Sequence, residues 1–396
     1  MNIVLDIGTS KIVALAVASI EGKDQVRAYA NKNSSGISKG VIVDIKLTTS
    51  AISEVLKELE KQLNTKVNAV KVSVSGHHVM AMRSSGVVGV QGGEITEHDV
   101  ERVIEAARAV SLPKNQEIIH ALPQEYIVDG QSGVERPIGM VGIRLEVNAL
   151  IMSCSSSALQ NTVKCVEKAG ARVDQFILSP LASGTSVLCR DEKALGVCLL
   201  DIGSGTTDVV VYAKGMIKHL SVIPLAGDHV TNDISVALCT PYDSAEKIKR
   251  SYGALTDNET VLHELIDVAS VSDVNDIRNI RRQVVTDVVQ ARYYEIFSYV
   301  LSKLQREGIL EEIPAGIVLT GGGAKLPGLK YLAESMFEMP ARVAWPVEKH
   351  LTDDLREESH ATLIGLMHEC QNNELMLRQP GTGRWQKLVN WLESCL

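Results

Sequence analysis

Apolar positions along this 396-residue chain follow both the two-residue strand period and the helical period. Residues 5–17, LDIGTSKIVALAV, and 200–212, LDIGSGTTDVVVY, each run from an apolar strand through a glycine-bearing turn into a second apolar or β-branched strand. The pattern predicts two β-hairpins. The two Asp-Ile-Gly tripeptides lie 201 − 6 = 195 residues apart, so the chain reads as two related halves.

After the first hairpin, GVIVDIKLTTSAISEVLKELEKQL predicts a short strand and a helix, and residues 67–74 a further strand. The texture changes near residue 83. SGVVGV reads as a strand, Thr96 with Asp99 caps a helix through about residue 110, and EIIHALPQEYIVDG and RLEVNALIMSC read as two strands. This strand–helix–strand–strand unit is expected to be a small inserted subdomain. ALQNTVKCVEKAG predicts a helix with a glycine stop, VDQFILS a strand, and PLASGTSVL a helix of small residues. Residues 231–304 are expected to be largely helical, ending in a long helix around RRQVVTDVVQARYYEIFSYVLSKLQREG. AGIVLTGGGAKLPGL predicts a buried strand, a glycine turn and a helix start, and HATLIGLMHEC a second small-residue helix.

The stretch 371–383, QNNELMLRQPGTG, has few apolar residues and reads as a flexible linker. Residues 384–396 show a different pattern. On a helix at about 100° per residue, Trp385, Leu388, Val389, Trp391, Leu392, Cys395 and Leu396 crowd one side, and Gln386, Lys387, Asn390, Glu393 and Ser394 take the other. That stripe must be buried against this protein, a partner or a lipid headgroup layer.

Composition narrows the classes. Apolar residues make up 45% of the chain, enough for large cores, while aromatics are only 4%, so the cores are built of aliphatic side chains. The length suggests two or three domains at roughly 150 residues each. A formal charge of −8 argues against nucleic acid as the main partner. The seven cysteines include no CxxC pair and read as reduced core residues of a cytoplasmic protein. MNIVLDIG does not read as a signal peptide, and no segment has the roughly 18 consecutive apolar residues of a membrane span. Contact with a membrane is therefore expected through the terminal stripe.

Candidate chemistry concentrates in the glycine turns. In LDIGSGTTD, Gly203 and Gly205 let backbone amides converge, Ser204, Thr206 and Thr207 add hydroxyls, and Asp201 or Asp208 could hold Mg2+ through water. A tight hairpin whose glycines serve only backbone freedom is the alternative. Asp6, Gly8, Thr9, Ser10 and Lys11 repeat the set, with a lysine able to reach a phosphate. Two such turns facing each other would grip a polyphosphate. Gly321, Gly322 and Gly323 would let a planar ligand lie on bare backbone. Glu246 and Lys249, at i and i+3 on one helix face, could bond a ribose or base edge, or simply pair in solvent. His77 and His78 are adjacent, so on a strand they would point to opposite faces and make a poor metal pair.

In this order, the three turns resemble the phosphate 1, phosphate 2 and adenosine motifs of the actin/Hsp70/sugar-kinase superfamily. PLASGTSVL and HATLIGLMHE look like its two connecting helices. VLTGGGAKLPGL, ALGVCLLDIGSGTTD, VIPLAGDHVTNDI and PQEYIVDG are similar to segments of the FtsA family of actin-like bacterial cell-division proteins, and the match runs over nearly the whole chain. The resemblance implies an α/β, two-lobed actin-like ATPase fold with a subdomain 1C in place of 1B. Subdomain 1A would be 1–82 and 159–190, 1C 83–158, 2A 191–230 and 305–370, and 2B 231–304. It implies ATP and Mg2+ as cofactors, with Gly227 and Ala324 joining the turns at the nucleotide, and Asp6 joining Asp201 and Asp208 near the metal. Hydrolysis is expected to be weak or absent, since no strong catalytic base is evident. The implied partners are further copies of the chain in filaments, later division proteins, anionic lipid and the tail of the tubulin-like FtsZ. Arg278, Arg292 and Glu295, in the corresponding helical region, are the candidates for that last site. The terminal helix would be a peripheral inner-membrane anchor at the septum. Burial of its apolar face would contribute several kcal/mol at ~25 cal/mol per Å², and Arg384 and Lys387 would meet headgroups. One departure is Ser204, where many relatives have glycine. A small-molecule kinase or a pilus-assembly actin-like protein remains the alternative on the same fold.

Overall fold

The computed structural model describes residues 1–20, 23–273, 275–347 and 355–369. The linker at 371–383 and the stripe at 384–396 lie outside the described residues. The chain divides into two compact units, one comprising Met1–Ala81, Pro113–Ile119 and Ser153–His368, the other Met82–Leu112 and His120–Met152.

In the larger unit, β1 (Asn2–Ile7) and β2 (Lys11–Ile20) form the first expected hairpin, pairing Asn2 with Val17 through Ile7 with Ile12. β3 (Lys23–Asn33) pairs antiparallel with β2. Two short strands, β4 (Ile37–Ser38) and β5 (Val41–Ile42), lead to α1 (Ile45–Leu63). Asp44 starts that helix, its carboxylate accepting from Leu47 N–H at 2.9 Å and so satisfying an amide the helix leaves unpaired. Ala51, Ile52, Val55, Leu56 and Leu59 recur at helical spacing and are buried. β6 (Ala69–Val74) then runs parallel to β1.

The smaller unit carries most of β7 (Met80–Gly89), α2 (Glu97–Arg108), β8 (Gln116–Val128), β9 (Gln131–Val134) and β10 (Arg144–Ser155), with sheet order β7-β10-β8-β9. Thr96 and Asp99 form a reciprocal capping box at the start of α2. β9 has no counterpart in the sequence reading. Its residues, QSGV, are mostly polar, and the turn that creates it places Asp129 and Gly130 at φ 48° and 87°.

The chain continues through α3 (Ser156–Lys168), β11 (Arg172–Leu178), α4 (Ser179–Val187) and α5 (Arg190–Leu195). β11 completes the first sheet in the order β11-β6-β1-β2-β3. The second hairpin is β12 (Val197–Ile202) with β13 (Thr207–Ala213), followed by β14 (Met216–Ile223). α6 (Gly227–Leu238), α7 (Tyr242–Tyr252), α8 (Glu259–Leu262), β15 (Leu265–Ala269), β16 (Ile277–Arg281) and α9 (Arg282–Arg306) come next. β17 (Ile317–Thr320), α10 (Leu329–Phe337), β18 (Ala341–Val343) and α11 (Ala361–Glu369) complete the described elements. The second sheet reads β14-β13-β12-β17-β18. Element for element this repeats the first: a three-stranded antiparallel run, then two strands added in parallel.

Residues 231–304 are largely helical, as expected, and also hold β15 and β16, a hairpin whose alternating exposure follows the two-residue period of LIDVA and IRNIR. Arg278 therefore lies on β16, while Arg292 and Glu295 lie on α9. His77 and His78 occupy a turn after β6 rather than a strand, with their rings edge-on at 5.7 Å.

Candidate functional site

The duplication extends to single hydrogen bonds. Gly8 N–H donates to the Lys11 carbonyl at 3.0 Å, and, 195 residues on, Gly203 N–H donates to the Thr206 carbonyl at 2.9 Å. The same turn is thus built twice, and the two copies meet. A side chain at Gly205 would run into Thr9 Oγ1 and the backbone of Lys39, so glycine is required there by close approach. Thr9 Oγ1 accepts from Gly40 N–H at 3.0 Å, which fixes that loop beside the turn.

Three carboxylates gather behind the turns. Asp6 accepts from Ser73 Oγ at 2.6 Å, and Ser73 Oγ in turn accepts from Ile7 N–H at 3.1 Å. Asp208 is 4% exposed and accepts from Ser75 Oγ at 2.7 Å, across from the first sheet. Asp201 sits directly opposite Asp208 in the β12–β13 register. It accepts from Ser183 on α4 and, at 3.2 Å, from Thr362 on α11. Those two hydroxyls lie 2.9 Å apart, so the small-residue helices meet at the Asp201 carboxylate. Burial, reinforced by the Asp6 charge and opposed by the Ser183 hydrogen bond, pushes Asp201 up to about 6. Burial and then Asp201 push Asp208 well above the ordinary carboxylate range. Burial also raises Asp6, with Ser73 and Lys11 pulling the other way. Among the described residues, no three His, Cys, Asp or Glu side chains converge as direct ligands of one metal ion. The oxygen-only set fits a hard cation held through water.

The second turn continues into α6. Gly227 N–H donates to the Gly203 carbonyl at 3.1 Å and Asp228 N–H to the Ser204 carbonyl at 2.8 Å. Ser204 Oγ donates to the Asp228 carboxylate, which gives the one departing residue of the motif a definite partner. Thr207 is buried and donates to the Leu225 carbonyl at 2.7 Å, so its hydroxyl braces β13 instead of lining the turn as expected from its place in the motif. Glu246 and Lys249 pair at 2.6 Å. Lys249 also donates to the Gly227 carbonyl at 3.0 Å and to Thr231 Oγ1 at 2.7 Å, which attaches this pair to the same helix start. Burial pushes the Glu246 carboxyl up, but Lys249 and Thr231 hold it below its ordinary value on balance.

The glycine triplet packs on this centre. Gly321 has φ 86°, and a side chain there would strike the Asp201 carboxylate and the Ile202 carbonyl. Gly322, Gly323, Ala324 and Lys325 form a single 3-10 turn, and Tyr293 on α9 donates to the Gly323 carbonyl at 2.9 Å. Asp6, Asp201, Asp208, both hairpin turns, Gly227 and the Glu246–Lys249 pair are therefore linked by hydrogen bonds and close contacts through one connected region. Ser10 is exposed at the first turn. Arg278, Arg292 and Glu295 lie elsewhere, and all three charges have partners within the chain. Arg278 donates to the carbonyls of Leu238 and Cys239, and Arg292 grips Asp233 with two nitrogens at 2.6 and 3.0 Å while also meeting Glu295. Ser73, Ser75, Ser183 and Thr362, which fix the three carboxylates, were not singled out from sequence. Ser183 and Thr362 lie in the two small-residue helices, where hydroxyls amid glycine and alanine were the available signal.

Residues 198–365 match the family model described as cell division protein FtsA, and residues 76–153 match the SHS2 domain inserted in FtsA. The chain is 43% identical over 369 residues to the cell division protein FtsA of Pseudomonas aeruginosa, covering 93% of this chain and 88% of that protein. It is 40% identical to the FtsA of Neisseria meningitidis serogroup B, covering 99% and 97%, and 34% identical to that of Escherichia coli K12, covering 98% and 97%. Among solved structures, it is similar to the PilM-PilN type IV pilus biogenesis complex, with a TM-score of 0.65 at 17% identity over 93% of this chain and 98% of that one. MreB5 of Spiroplasma citri bound to ADP gives 0.54 at 15% identity over 96% and 98%. These structural likenesses establish an actin-like ATPase fold.

Proposed function

This chain belongs to the FtsA family of cell-division proteins, and we propose that it binds ATP with Mg2+ between its halves, polymerises, and tethers FtsZ to the inner membrane. The observation that carries the nucleotide reading is the meeting of the two duplicated turns at Gly205 and Thr9, in front of three carboxylates, Asp208 buried and Asp6 and Asp201 half-buried. In this reading the amides of Gly8–Lys11 and Gly203–Thr206 face the phosphates, with the Lys11 ammonium beside them. Asp6, Asp201 and Asp208 hold Mg2+ through water. Bound Mg2+ would offset phosphate charge, which the acidic cluster cannot do. Gly321–Ala324 receive the adenine and Glu246 with Lys249 the ribose. Because Asp201 is bonded to both small-residue helices, a ligand engaging it would bear on the α4–α11 contact.

Residues 83–158 are assigned as subdomain 1C, with 1A, 2A and 2B bounded as the resemblance implies. Filament contacts run through 1C in this reading, with later division proteins as further partners. Arg278, Arg292 and Glu295 remain candidates for the FtsZ tail, which would have to compete with the partners these charges already hold. Residues 384–396 form the membrane anchor at the cytoplasmic face of the septum. One such amphipathic segment would bind reversibly, and polymerisation would multiply the anchors into avid attachment. Liposome pelleting with anionic lipid and ATP tests the reading, comparing the full chain with a truncation after residue 383. Pelleting of the full chain alone, with FtsZ co-recruited, is the expected result. Equal pelleting of both chains, or ATP-dependent phosphorylation of a metabolite, would overturn it.

A further inference from the structure

Lys11 is bonded away from both turns. Its ammonium donates to Ser359 Oγ at 3.0 Å and to His360 Nε2 at 2.9 Å. An ammonium has donors only, so Nε2 must be the acceptor and the imidazole proton must sit on Nδ1. Among the described residues Nδ1 is buried without a hydrogen-bond partner, while Nε2 meets the lysine. Tyr29 OH lies 3.1 Å from the same Nε2, Asn31 Nδ2 donates to that hydroxyl at 2.8 Å, and the tyrosine ring meets the imidazole edge-on at 5.9 Å. His360 is thereby clamped by the β2–β3 side of the first sheet. Burial, and then the Lys11 charge, lower its pKa to about 4, so the acceptor form holds at neutral pH.

The same short segment reaches the glycine triplet. The Glu358 carbonyl accepts from Gly321 N–H at 3.1 Å, and Glu357 pairs with Lys325 at 2.6 Å. Residues 357–360 thus touch the adenosine-type turn at one end and the Lys11 ammonium at the other, then enter α11. Two of three lysine N–H groups are committed to neutral acceptors. Neither neutral acceptor offsets the ammonium charge, and among the described residues one N–H is left for a phosphate oxygen.

We propose that His360, with Ser359, is a positioning residue that holds the Lys11 ammonium ready for a nucleotide phosphate, and that residues 357–360 couple that lysine to the glycine turn at the opposite end of the site. The inference rests on the ATP reading above. Its test is competition binding of ATP, ADP and adenosine to the full chain carrying His360→Leu, His360→Gln, Lys11→Met or Lys11→Met with His360→Leu. His360→Leu is expected to weaken ATP and ADP about tenfold, within the range of one charge-assisted hydrogen bond, while adenosine binding stays unchanged. His360→Gln, whose amide oxygen can accept from the lysine, recovers most of the loss. In the Lys11→Met background His360→Leu has no further effect. Equal weakening of adenosine and ATP, or an undiminished His360→Leu effect without Lys11, overturns the proposal. If the unmodified chain binds no ATP at all, the ATP reading fails. The lysine tie is then judged alone, by the 15N signals of the His360 ring in ligand-free protein. A proton on Nδ1 and an Nε2 shift that moves on Lys11→Met uphold it, and a proton on Nε2 overturns it.

Discussion

Asp201→Asn removes a negative charge that the ligand-free fold holds at a cost. Burial strips water from the Asp201 carboxyl, and the nearby Asp6 charge adds to the cost of ionising it. The carboxyl rises from 3.8 to about 6 in the folded chain. Such a group takes up its proton more readily when folded. The ionised form therefore burdens the native state above pH 6, and the burden fades as pH falls through 6 toward 3.8. A rise of roughly two pH units at about 1.36 kcal/mol each amounts to about 3 kcal/mol. The side chain keeps some contact with water, which lowers the figure to about 2 kcal/mol. Asparagine preserves the shape and an acceptor for Ser183 and Thr362, but neutral hydrogen bonds in place of charge-assisted ones lose about 1 kcal/mol.

Asp201→Asn should therefore stabilise the ligand-free protein by about 1 kcal/mol near pH 7.5, and the gain should disappear near pH 4. Chemical denaturation at both pH values reads this directly. On the proposed function, Mg-ATP would stabilise the unmodified chain and this variant would lose most of that gain, because the removed charge is the one a cation would meet. Stabilisation without nucleotide and insensitivity to Mg-ATP form one signature. If Asp201→Asn is less stable than the unmodified chain at pH 7.5, and by the same margin at pH 4, loss of water around this carboxyl is not what raises it.

Gly321→Ala should destabilise by about 2–3 kcal/mol, since φ 86° and ψ 168° define a backbone region open essentially to glycine; an unchanged denaturation midpoint would contradict this. Thr96→Ala should cost about 1 kcal/mol through loss of the capping box, seen as faster amide exchange at the start of α2. His120, held near 4 by burial and then by Arg108, should contribute an acid sensitivity. The unfolded chain takes the proton near 6.5 and the folded one only near 4, so stability is lost as pH falls through that window, by up to about 1.4 kcal/mol per unit. The stability difference between the unmodified chain and His120→Gln should follow that slope, and a difference independent of pH would rule the assignment out.

The fold was legible wherever a period or a turn residue carried it. LDIGTSKIVALAV and LDIGSGTTDVVVY gave both hairpins because apolar lead-in, aspartate and glycine fall at equal places. Thr96 with Asp99 gave the start of α2, and the i, i+3 spacing gave the Glu246–Lys249 pair. The reading weakened where strands were short or polar. β9 depends on backbone conformation at Asp129 and Gly130, and β15–β16 was overruled by the helical texture on either side. At the site, motif residues were visible and their supports were not. Ser73, Ser75, Ser359 and His360 act through contacts 66 to 349 residues away in sequence, and no local pattern encodes such partners.

What the duplicated turns do not share explains why both copies are needed. Asp6 and Asp201 occupy equivalent places, yet Asp6 faces Val13 across its hairpin where Asp201 faces Asp208. The first turn ends in Lys11 where the second has Thr206. One copy has thus gained a cation and the other an additional carboxylate. Fully ionised, Asp6, Asp201 and Asp208 less Lys11 leave 3 − 1 = 2 negative charges, the deficit that one divalent cation offsets. Without that cation, burial lifts each carboxyl toward its neutral form. Lys11 is already counted in that balance, and burial lowers its pKa, so it adds nothing further. A site made of two identical turns would have either four buried charges of one sign or none to spare. Divergence of two positions in the repeat leaves a centre whose ionised carboxyls weigh on the native state, so the cation proposed for it would stabilise the fold around it.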